Sequence, residues 1–408
     1  MAVKYLDYAL YWSIVLFPFS IAIAPGFTFS LLGIMCAAFA AKKIIKKEPF
    51  IKSTPINLPF LLLILISILS FKNSVNLNSS VKGIFKLIES AAVFLICAQE
   101  IKDRKHISRI ILFMVLGAVL ASCDALWQNA FGKDFIRGNE LIINIGLKRS
   151  TAAFPDANVL GVYLSPIAPV AFAMALYYLK GRKKLLMFAA AFTIVAGITL
   201  TFSRPTALAL VLSLLFLGIV KKDKIVLITL LILAAIAPVI APQNIKDWAK
   251  SVNYNPVIFM TNYDRISIYR NTLNMIGHHP VLGVGVNTFS LNYSKYKLPE
   301  AENAKTSESV YAHNNFLHMA GEIGLIGLGV FIWLLFRLFK SCAATFKGLK
   351  DNYLKIVSLA VTASLLAFMI NGLTETSLYY AKVVMIFWFT VGLCFALKEP
   401  RFQQTHGN

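Results

Sequence analysis

The stretch Tyr311–Gly327, YAHNNFLHMAGEIGLIG, places a His-Asn-Asn triplet at the start of an apolar helix, directly after a long polar segment. Apart from that segment, the surrounding sequence is hydrophobic enough to lie in a membrane. A single imidazole at this position is therefore expected at a water–lipid boundary, where a neutral base can meet a lipid-linked substrate. The stretch predicts both a membrane helix and a candidate catalytic residue, His313.

The composition is typical of a polytopic membrane protein. Of the 408 residues, 58% are hydrophobic, and the mean hydropathy is +0.69. The net charge of +21 does not indicate a nucleic-acid partner, because the basic residues form short clusters between apolar runs. This pattern follows the positive-inside rule and marks cytoplasmic loops. The clusters are Lys42–Lys47, Lys102–Arg109, Lys180–Lys184, Lys221–Lys224 and Arg337–Lys355.

The apolar runs predict an all-α fold with about twelve membrane spans, since a helix needs about 17–25 apolar residues to cross the hydrocarbon layer. A cytoplasmic N-terminus puts every basic cluster on the cytoplasmic side, and both termini are then cytoplasmic. The chain divides into spans one to nine (1–241), a loop (242–315), and spans ten to twelve with a tail (316–408). The predicted spans are 8–24, 27–41, 55–71, 83–99, 108–130, 157–179, 185–202, 206–220, 225–241, 316–336, 355–375 and 379–397.

The segment 242–315 is an extracytoplasmic loop far longer than an ordinary connection. Within it, residues 264–276 (DRISIYRNTLNMI) predict an amphipathic helix lying on the membrane, with Ile266, Tyr269, Leu273 and Ile276 at helical intervals. The sequence contains no cluster with metal-ligand spacing and no nucleotide-binding glycine loop. A reaction that uses neither a metal nor a cofactor is therefore the simpler expectation.

Arg204 falls in the turn Ser203–Thr206 before the eighth span, because Pro205 suits the first position of a helix. That span is short, so the arginine is expected to be drawn toward the membrane. An arginine there is costly unless it has a partner or a water-filled cavity, which makes it a candidate functional residue. The alternative is an interfacial arginine that extends its charge into water.

Arg265 and Arg270 lie on the predicted loop helix, five residues apart and therefore on different faces. A guanidinium suits a diphosphate because it is planar, permanently charged and able to donate two parallel hydrogen bonds. Arg265 is the stronger candidate, and Arg270 is a possible supporting residue. The alternative is a solvated helix face or a contact with anionic headgroups.

His313 is expected at the N-terminal end of the tenth span, where the helix dipole disfavours imidazolium and attracts phosphate. A neutral ring beside an anion site suits deprotonation of a sugar hydroxyl during attack on a glycosyl diphosphate. The alternative is a capping or interfacial histidine. Asn314 and Glu375 are possible supporting residues, whereas His318 and Glu322 are expected to serve packing and structure.

Several stretches together resemble the O-antigen ligase and polymerase superfamily of bacterial inner membranes. They are LTFSRPTALAL (200–210), DRISIYRNTLNMIGHHPVLGVGVNTF (264–289) and HNNFLHMAGEIGLIGLG (313–329), with a weaker match in KRSTAAFPDANVLGVYL (148–164). The resemblance covers most of the chain. It departs from the family pattern at Pro205 and Thr206, where relatives often carry small or glycine residues.

The resemblance implies a GT-C-like, all-helical glycosyltransferase with a large periplasmic loop over its site. Such enzymes pass a glycan from undecaprenyl diphosphate to an acceptor without a metal. The family's key histidine matches His313, and its diphosphate-binding arginines match Arg204 and Arg265. The implied location is the bacterial inner membrane, where the protein contacts membrane lipids and the site faces the periplasm.

The acceptor stays open at this level. A ligase transfers the glycan to lipid A–core, a polymerase transfers it to another lipid-linked repeat, and a third branch of O-oligosaccharyltransferases transfers it to protein. The long loop favours the ligase. Outside this class, a transporter of lipids or solutes also fits many spans with buried arginines, but no internal repeat is evident and the candidate charges cluster at one face.

Overall fold

The computed structural model of the chain describes residues 1–144, 147–299, 311–399 and 402. This part of the chain is nearly all α-helical, which confirms the predicted class. Its two strands, β1 (Ile142–Asn144) and β2 (Leu147–Arg149), pair as a small antiparallel hairpin in which Ile142 lies opposite Arg149. The helices are α1 (Ala2–Ile23), α2 (Pro25–Lys46), α3 (Asn57–Leu69), α4 (Leu77–Glu100), α5 (Arg104–Phe131), α6 (Ala157–Leu164), α7 (Ala168–Tyr177), α8 (Gly181–Leu200), α9 (Arg204–Lys221), α10 (Lys224–Ile240), α11 (Gln243–Ser251), α12 (Pro256–Thr261), α13 (Tyr263–His278), α14 (Phe289–Tyr293), α15 (Asn315–Gly348), α16 (Asn352–Asn371) and α17 (Ala381–Ala396).

The described residues include eight helices that are long and apolar enough to cross a membrane: α1, α2, α5, α6 with α7, α8, α9, α15 and α16. Helix α10 becomes a ninth if it is joined to α11, from which it is bent by 88°. This confirms a polytopic membrane protein. The number twelve stays a prediction, because α3 and α17 are shorter apolar helices and α4 carries Lys82, Lys86 and Glu89.

The short helix α17 lies at the centre of the bundle. Almost every residue from Lys382 to Ala396 is buried, and the helix packs against α4, α16, α15 and α6. A helix that is apolar on all sides is stable only when protein or lipid surrounds it completely, and here protein does so. Helix α10 is the opposite case, since none of its residues is buried.

The helix ends separate the candidate residues from the basic clusters. Helix α8 ends at Leu200, shortly before Arg204; α15 begins just after His313; and α16 ends at Asn371, shortly before Glu375. The other ends of these three helices lie beside the basic clusters of the sequence. The candidate residues therefore gather at one end of the bundle, away from the basic loops.

Helix α15 is interrupted near its start, where Ile323 and Gly324 leave helical geometry and Gly324 has a φ of 74°. The loop after α13 provides the hydrogen bonds that the helix loses there. The amides of Val284 and Gly285 donate to the carbonyl oxygens of residues 321 and 322, both at 2.9 Å, and the amide of residue 325 donates to the oxygen of residue 280 at 2.7 Å. Residues 315–322 thus form a separate half-helix that this loop holds in place.

The loop helix predicted at 264–276 exists as α13. Its buried residues are Ile268, Asn271, Thr272, Met275 and Ile276, while Leu273 is exposed. Helix α13 packs against α15, and its predicted position on the membrane surface stays a prediction. The predicted loop 242–315 also includes residues 300–310, which lie outside the described part of the chain.

We expect Gly324→Ala to destabilise the protein and Gly329→Ala to leave it unchanged or slightly more stable. A Cβ at residue 324 would collide with the carbonyl of Val281 on a left-handed backbone, which alone costs about 1–3 kcal/mol. A Cβ at residue 329 meets nothing within 4 Å in the same helix. The check is the thermal unfolding midpoint of both variants in detergent; equal midpoints would contradict the described break in α15.

Candidate active site

An open cavity of about 360 Å³ lies at the end of the bundle that holds the candidate residues. Its wall is formed by β2, the turn between α8 and α9, helices α11 and α12, the start of α13, and His313. Arg149, Arg204 and Arg265 line it, together with the carboxylates of Asp156 and Asp264. The three residues that the sequence ranked first, Arg204, Arg265 and His313, therefore meet at one cavity.

Glu375 joins two of these residues. Its carboxylate forms a salt bridge through Oε1 with Nη2 of Arg265, and Oε2 lies 3.2 Å from Nδ1 of His313. Nη1 of Arg265 also donates to the carbonyl oxygen of Thr374 at 2.7 Å. The Glu375 side chain is 1% exposed, whereas the His313 side chain is 29% exposed. The carboxylate is therefore enclosed, and the imidazole reaches the cavity.

The pKa of Glu375 is set by opposing effects. Burial raises the pKa of this carboxyl, but the Arg265 guanidinium and the hydrogen bond from His313 lower it more, and the result lies below its usual range. Burial likewise lowers the pKa of Arg265, and the Glu375 carboxylate more than restores it. At neutral pH this position therefore holds an ionised carboxylate beside a guanidinium.

His313 stands in a left-handed turn, with a φ of 47°, immediately before α15. Asn314 is the N-cap of α15, because its Oδ1 accepts from the amides of Phe316 and Leu317 at 2.8 and 3.0 Å. Its Nδ2 donates to the carbonyl oxygen of Leu373. Tyr269 Oη donates to the carbonyl oxygen of His313 at 3.0 Å. The ring thus lies near a helix N-terminus as expected, but the Glu375 carboxylate opposes the helix dipole there.

Arg204 is the least compensated arginine of the site. Within the described part of the chain it has no salt bridge; its guanidinium lies over the rings of Trp248 and Phe259, at 5.7 and 5.2 Å from their centroids. Such cation–π contacts stabilise the charge and leave the N–H donors unused. Since it also lines the cavity, Arg204 is placed to bind an anion.

Arg149 is a cavity residue that the sequence reasoning missed. Its Nε donates to the carbonyl oxygen of Thr201 at 2.8 Å, and its Nη2 donates to Oδ1 of Asn158 at 2.7 Å. It therefore ties β2 to the turn that carries Arg204. Burial lowers the pKa of this guanidinium, and the carboxylates of Asp156 and Glu375 offset part of that effect. The available signal was the weak match at 148–164, from which no single arginine was chosen.

Other sequence candidates have a smaller place in the site. Arg270 is exposed and does not line the cavity. Asp156, which also lines the cavity, caps α6 by accepting from the amide of Asn158 at 2.6 Å. In the described residues, no group of three or more His, Cys, Asp or Glu side chains has the arrangement of a metal site.

Strained backbone surrounds the cavity. Three of its lining residues, Phe202, Asn262 and His313, are non-glycine residues with positive φ, at 48°, 76° and 47°. Asn262 caps α13 by accepting from the amide of Arg265 at 2.9 Å. Each such conformation costs on the order of 1–3 kcal/mol and is typical of functional sites.

Comparison with known families adds one finding. Residues 186–332 match the model of a family described as O-antigen ligase. Over these residues, the resemblance to the O-antigen ligase and polymerase superfamily is confirmed. The matched segment runs from α8 into α15 and includes Arg204, Arg265 and His313, but neither Arg149 nor Glu375. No curated protein matches the chain. The superfamily match supports an activity of the O-antigen ligase or polymerase type.

We expect Glu375→Gln to destabilise the protein at pH 6 by on the order of 3 kcal/mol, because it leaves the buried Arg265 charge uncompensated. The folded-state pKa of Glu375 is depressed, so its stabilising contribution is present above its unfolded pKa of about 4.3. That contribution is lost as the pH falls through the lower folded-state pKa.

The stability gap between the wild type and Glu375→Gln should therefore narrow between pH 6 and pH 3. The measurement is the unfolding midpoint of both proteins in a non-ionic detergent at each pH. Glu140→Gln, at a side chain that is 79% exposed, is the matched control. A gap that stays constant with pH would refute the buried ion pair.

Proposed function

We propose that the protein is an O-antigen ligase-type glycosyltransferase. It moves a glycan from undecaprenyl diphosphate to a hydroxyl of lipid A–core, without a metal ion or cofactor. The observation that carries this proposal is the convergence of Arg149, Arg204, Arg265 and the His313–Glu375 pair on one cavity. The family match over residues 186–332 supports the same class.

The donor's diphosphate binds at the three arginines. Arg204 provides the donors that protein groups leave unused, and Arg149 and Arg265 add positive charge to the same cavity. Two nitrogen atoms of the Arg265 guanidinium already bind Thr374 and Glu375. Arg265 therefore acts on the diphosphate mainly through its positive charge, and it also holds the Glu375 carboxylate in position. Three guanidinium groups suit a leaving group that gains negative charge as its bond to the sugar breaks.

His313 acts as the general base. Because the Glu375 carboxylate is ionised, it can only accept a hydrogen bond, so the Nδ1 atom of His313 at 3.2 Å carries a hydrogen and donates this hydrogen bond. Nε2 then has the free lone pair, and the partly exposed ring presents it to the cavity. Glu375 fixes this tautomer and stabilises the imidazolium that forms, as a carboxylate does in other His-based sites.

The reaction is a displacement at the anomeric carbon of the donor sugar. The acceptor oxygen bonds to this carbon while its proton passes to Nε2 of His313. The bond between the anomeric carbon and the diphosphate oxygen breaks, and the electron pair leaves with undecaprenyl diphosphate. The arginines stabilise this charge, and His313 later releases its proton to solvent.

The site faces the periplasm in this proposal, and both termini lie in the cytoplasm of a bacterial inner membrane. The support is the separation of charges along the bundle: the basic clusters lie at one end, and the cavity lies at the other. The positive-inside rule assigns the basic end to the cytoplasm. An undecaprenyl-linked glycan and the lipid acceptor would both reach the cavity from the outer leaflet.

A transporter is a weaker account of the same residues. A transport site is typically placed near the midplane between two related halves of the chain. Here the arginines, the histidine and the carboxylate meet at helix ends, and a carboxylate fixes the orientation of the imidazole. That arrangement suits proton transfer at a bound substrate.

The direct test is transfer by the purified protein in detergent, with undecaprenyl-diphosphate glycan as donor and EDTA present. Separate reactions offer lipid A–core, a second lipid-linked repeat, and an acceptor protein. Product on lipid A–core alone supports the ligase. Chain growth on the lipid instead identifies a polymerase, product on protein an O-oligosaccharyltransferase, and inhibition by EDTA contradicts metal independence.

We expect His313→Ala to reduce kcat by about 10²–10⁴-fold, the usual contribution of a general base. The KM for the donor should change little, since the arginines stay in place. Steady-state kinetics of the transfer reaction measure both parameters. Activity that persists in a folded His313→Ala protein would remove the histidine from the reaction.

We expect Arg204→Lys and Arg265→Lys to impair transfer, each by about tenfold or more in kcat/KM, because lysine lacks the planar fork. Arg204→Lys should act mainly on the KM for the donor. Arg265→Lys should act also on kcat, through Glu375 and His313. Arg270→Lys is the control on the same helix as Arg265, since it is exposed and away from the cavity; equal losses in all three would contradict the arginine roles.

A further inference from the structure

A buried pair of polar side chains, His318 and Glu322, lies one turn below the candidate active site. Their side chains are each 2% exposed, and Nε2 of His318 is 3.3 Å from Oε1 of Glu322. The other ring nitrogen, Nδ1, accepts a hydrogen bond from the amide of Ala312 at 3.2 Å. Ala312 directly precedes His313, so the pair reaches the backbone of the proposed base.

The hydrogen bonds define the state of the His318 ring. A backbone amide can only donate, so Nδ1 of His318 must be the acceptor, and Nε2 must carry the proton. Nε2–H then faces Oε1 of Glu322 at 3.3 Å, and this oxygen accepts a hydrogen bond from the amide of Phe289 at 3.1 Å. A neutral ring in one tautomer therefore links α14, the half-helix 315–322 and the residue before His313.

The hydrogen bond from Ala312 to His318 lies next to a strained backbone residue, His313. His313 has a φ of 47°, a conformation that non-glycine residues adopt only when surrounding contacts hold them. Tyr269 holds the carbonyl of His313 at 3.0 Å, and His318 holds the amide of the preceding residue. The two contacts fix the turn on both sides, while Glu375 fixes the ring.

We propose that His318, held by Glu322, is a positioning residue for His313. It keeps the Ala312–His313 turn in the left-handed conformation that directs the imidazole toward Glu375 and the cavity. Neither residue lines the cavity, so the effect on chemistry is indirect. The catalytic part of this inference rests on the proposed function, whereas the structural part does not.

The alternative is that the pair only completes the packing of the core. The His318 ring is surrounded by the rings of Tyr379, Phe289 and Tyr311, with centroid distances of 4.0, 4.5 and 5.7 Å. Loss of the ring would then reduce stability in any variant, whichever of its hydrogen bonds were kept. Two amide substitutions separate the two accounts.

His318→Asn and His318→Gln form a matched pair. The shorter asparagine places its amide oxygen near the position of Nδ1, where it can still accept from the Ala312 amide. The longer glutamine places its amide near Nε2, where it can contact Glu322 but leaves the Ala312 amide without its acceptor. Both remove the ring, so a packing role predicts similar losses.

Hydrogen–deuterium exchange of the full-length protein in detergent tests the structural part without any substrate. We expect peptides that contain the Ala312 amide to exchange about tenfold faster or more in His318→Gln than in the wild type, because one protecting hydrogen bond is lost. In His318→Asn the exchange rate should stay close to the wild-type rate. Equal rates in both variants would overturn the proposal.

Transfer kinetics test the catalytic part. We expect His318→Gln to lower kcat by about 10–100-fold with less than about a threefold change in the KM for the donor, while His318→Asn stays within about threefold of the wild type. Equal kcat values in His318→Gln and His318→Asn, or a change confined to KM, would overturn the positioning role of His318 even though the proposed function stands. If the wild-type protein transfers no glycan, the proposed function fails, and deuterium exchange still decides whether His318 holds the turn.

Discussion

The Glu375 carboxylate is almost completely buried, and the site is organised around its need for compensating charge. An isolated ionised carboxylate is very costly to bury, so it requires partners that supply positive charge and hydrogen bonds. Arg265 and His313 supply them from α13 and from the turn before α15, whereas Glu375 itself follows α16. Compensation of one charge therefore holds together three segments that are far apart in the sequence. The same contacts select the tautomer of the proposed base.

The three cavity arginines differ in how their charges are compensated. Arg265 has a carboxylate partner, Arg149 donates to two neutral oxygens, and Arg204 lies over aromatic rings. Arg204 and Arg149 are therefore the two cavity arginines that have no salt bridge in the described part of the chain. In the proposed function, the diphosphate of the donor would supply the compensating negative charge at these two arginines.

Features that depend on neighbouring residues were predicted from the sequence, whereas features that depend on contacts between distant segments were not. The apolar runs and basic clusters were enough for the helical membrane fold, because burial of apolar residues and the charge of loops are local properties. The loop helix at 264–276 was found, but its contact with α15 was not, because that contact joins residues far apart in the sequence. The break of α15 at Gly324 was also missed, because the compensating amides of Val284 and Gly285 come from a distant loop.

The sequence by itself determined the class of fold and the three candidates Arg204, Arg265 and His313, since each candidate stands in a recognisable stretch at a predicted helix end. Only the tertiary structure decided that they share a cavity, that Arg149 joins them, and that Glu375 is the partner of both Arg265 and His313. It also gave His318 and Glu322 a contact with the turn that carries His313. The physical reason is that hydrogen bonds and ion pairs act over about 3–4 Å. Which groups come that close depends on how the helices pack, and the spacing of residues along the chain does not contain that information.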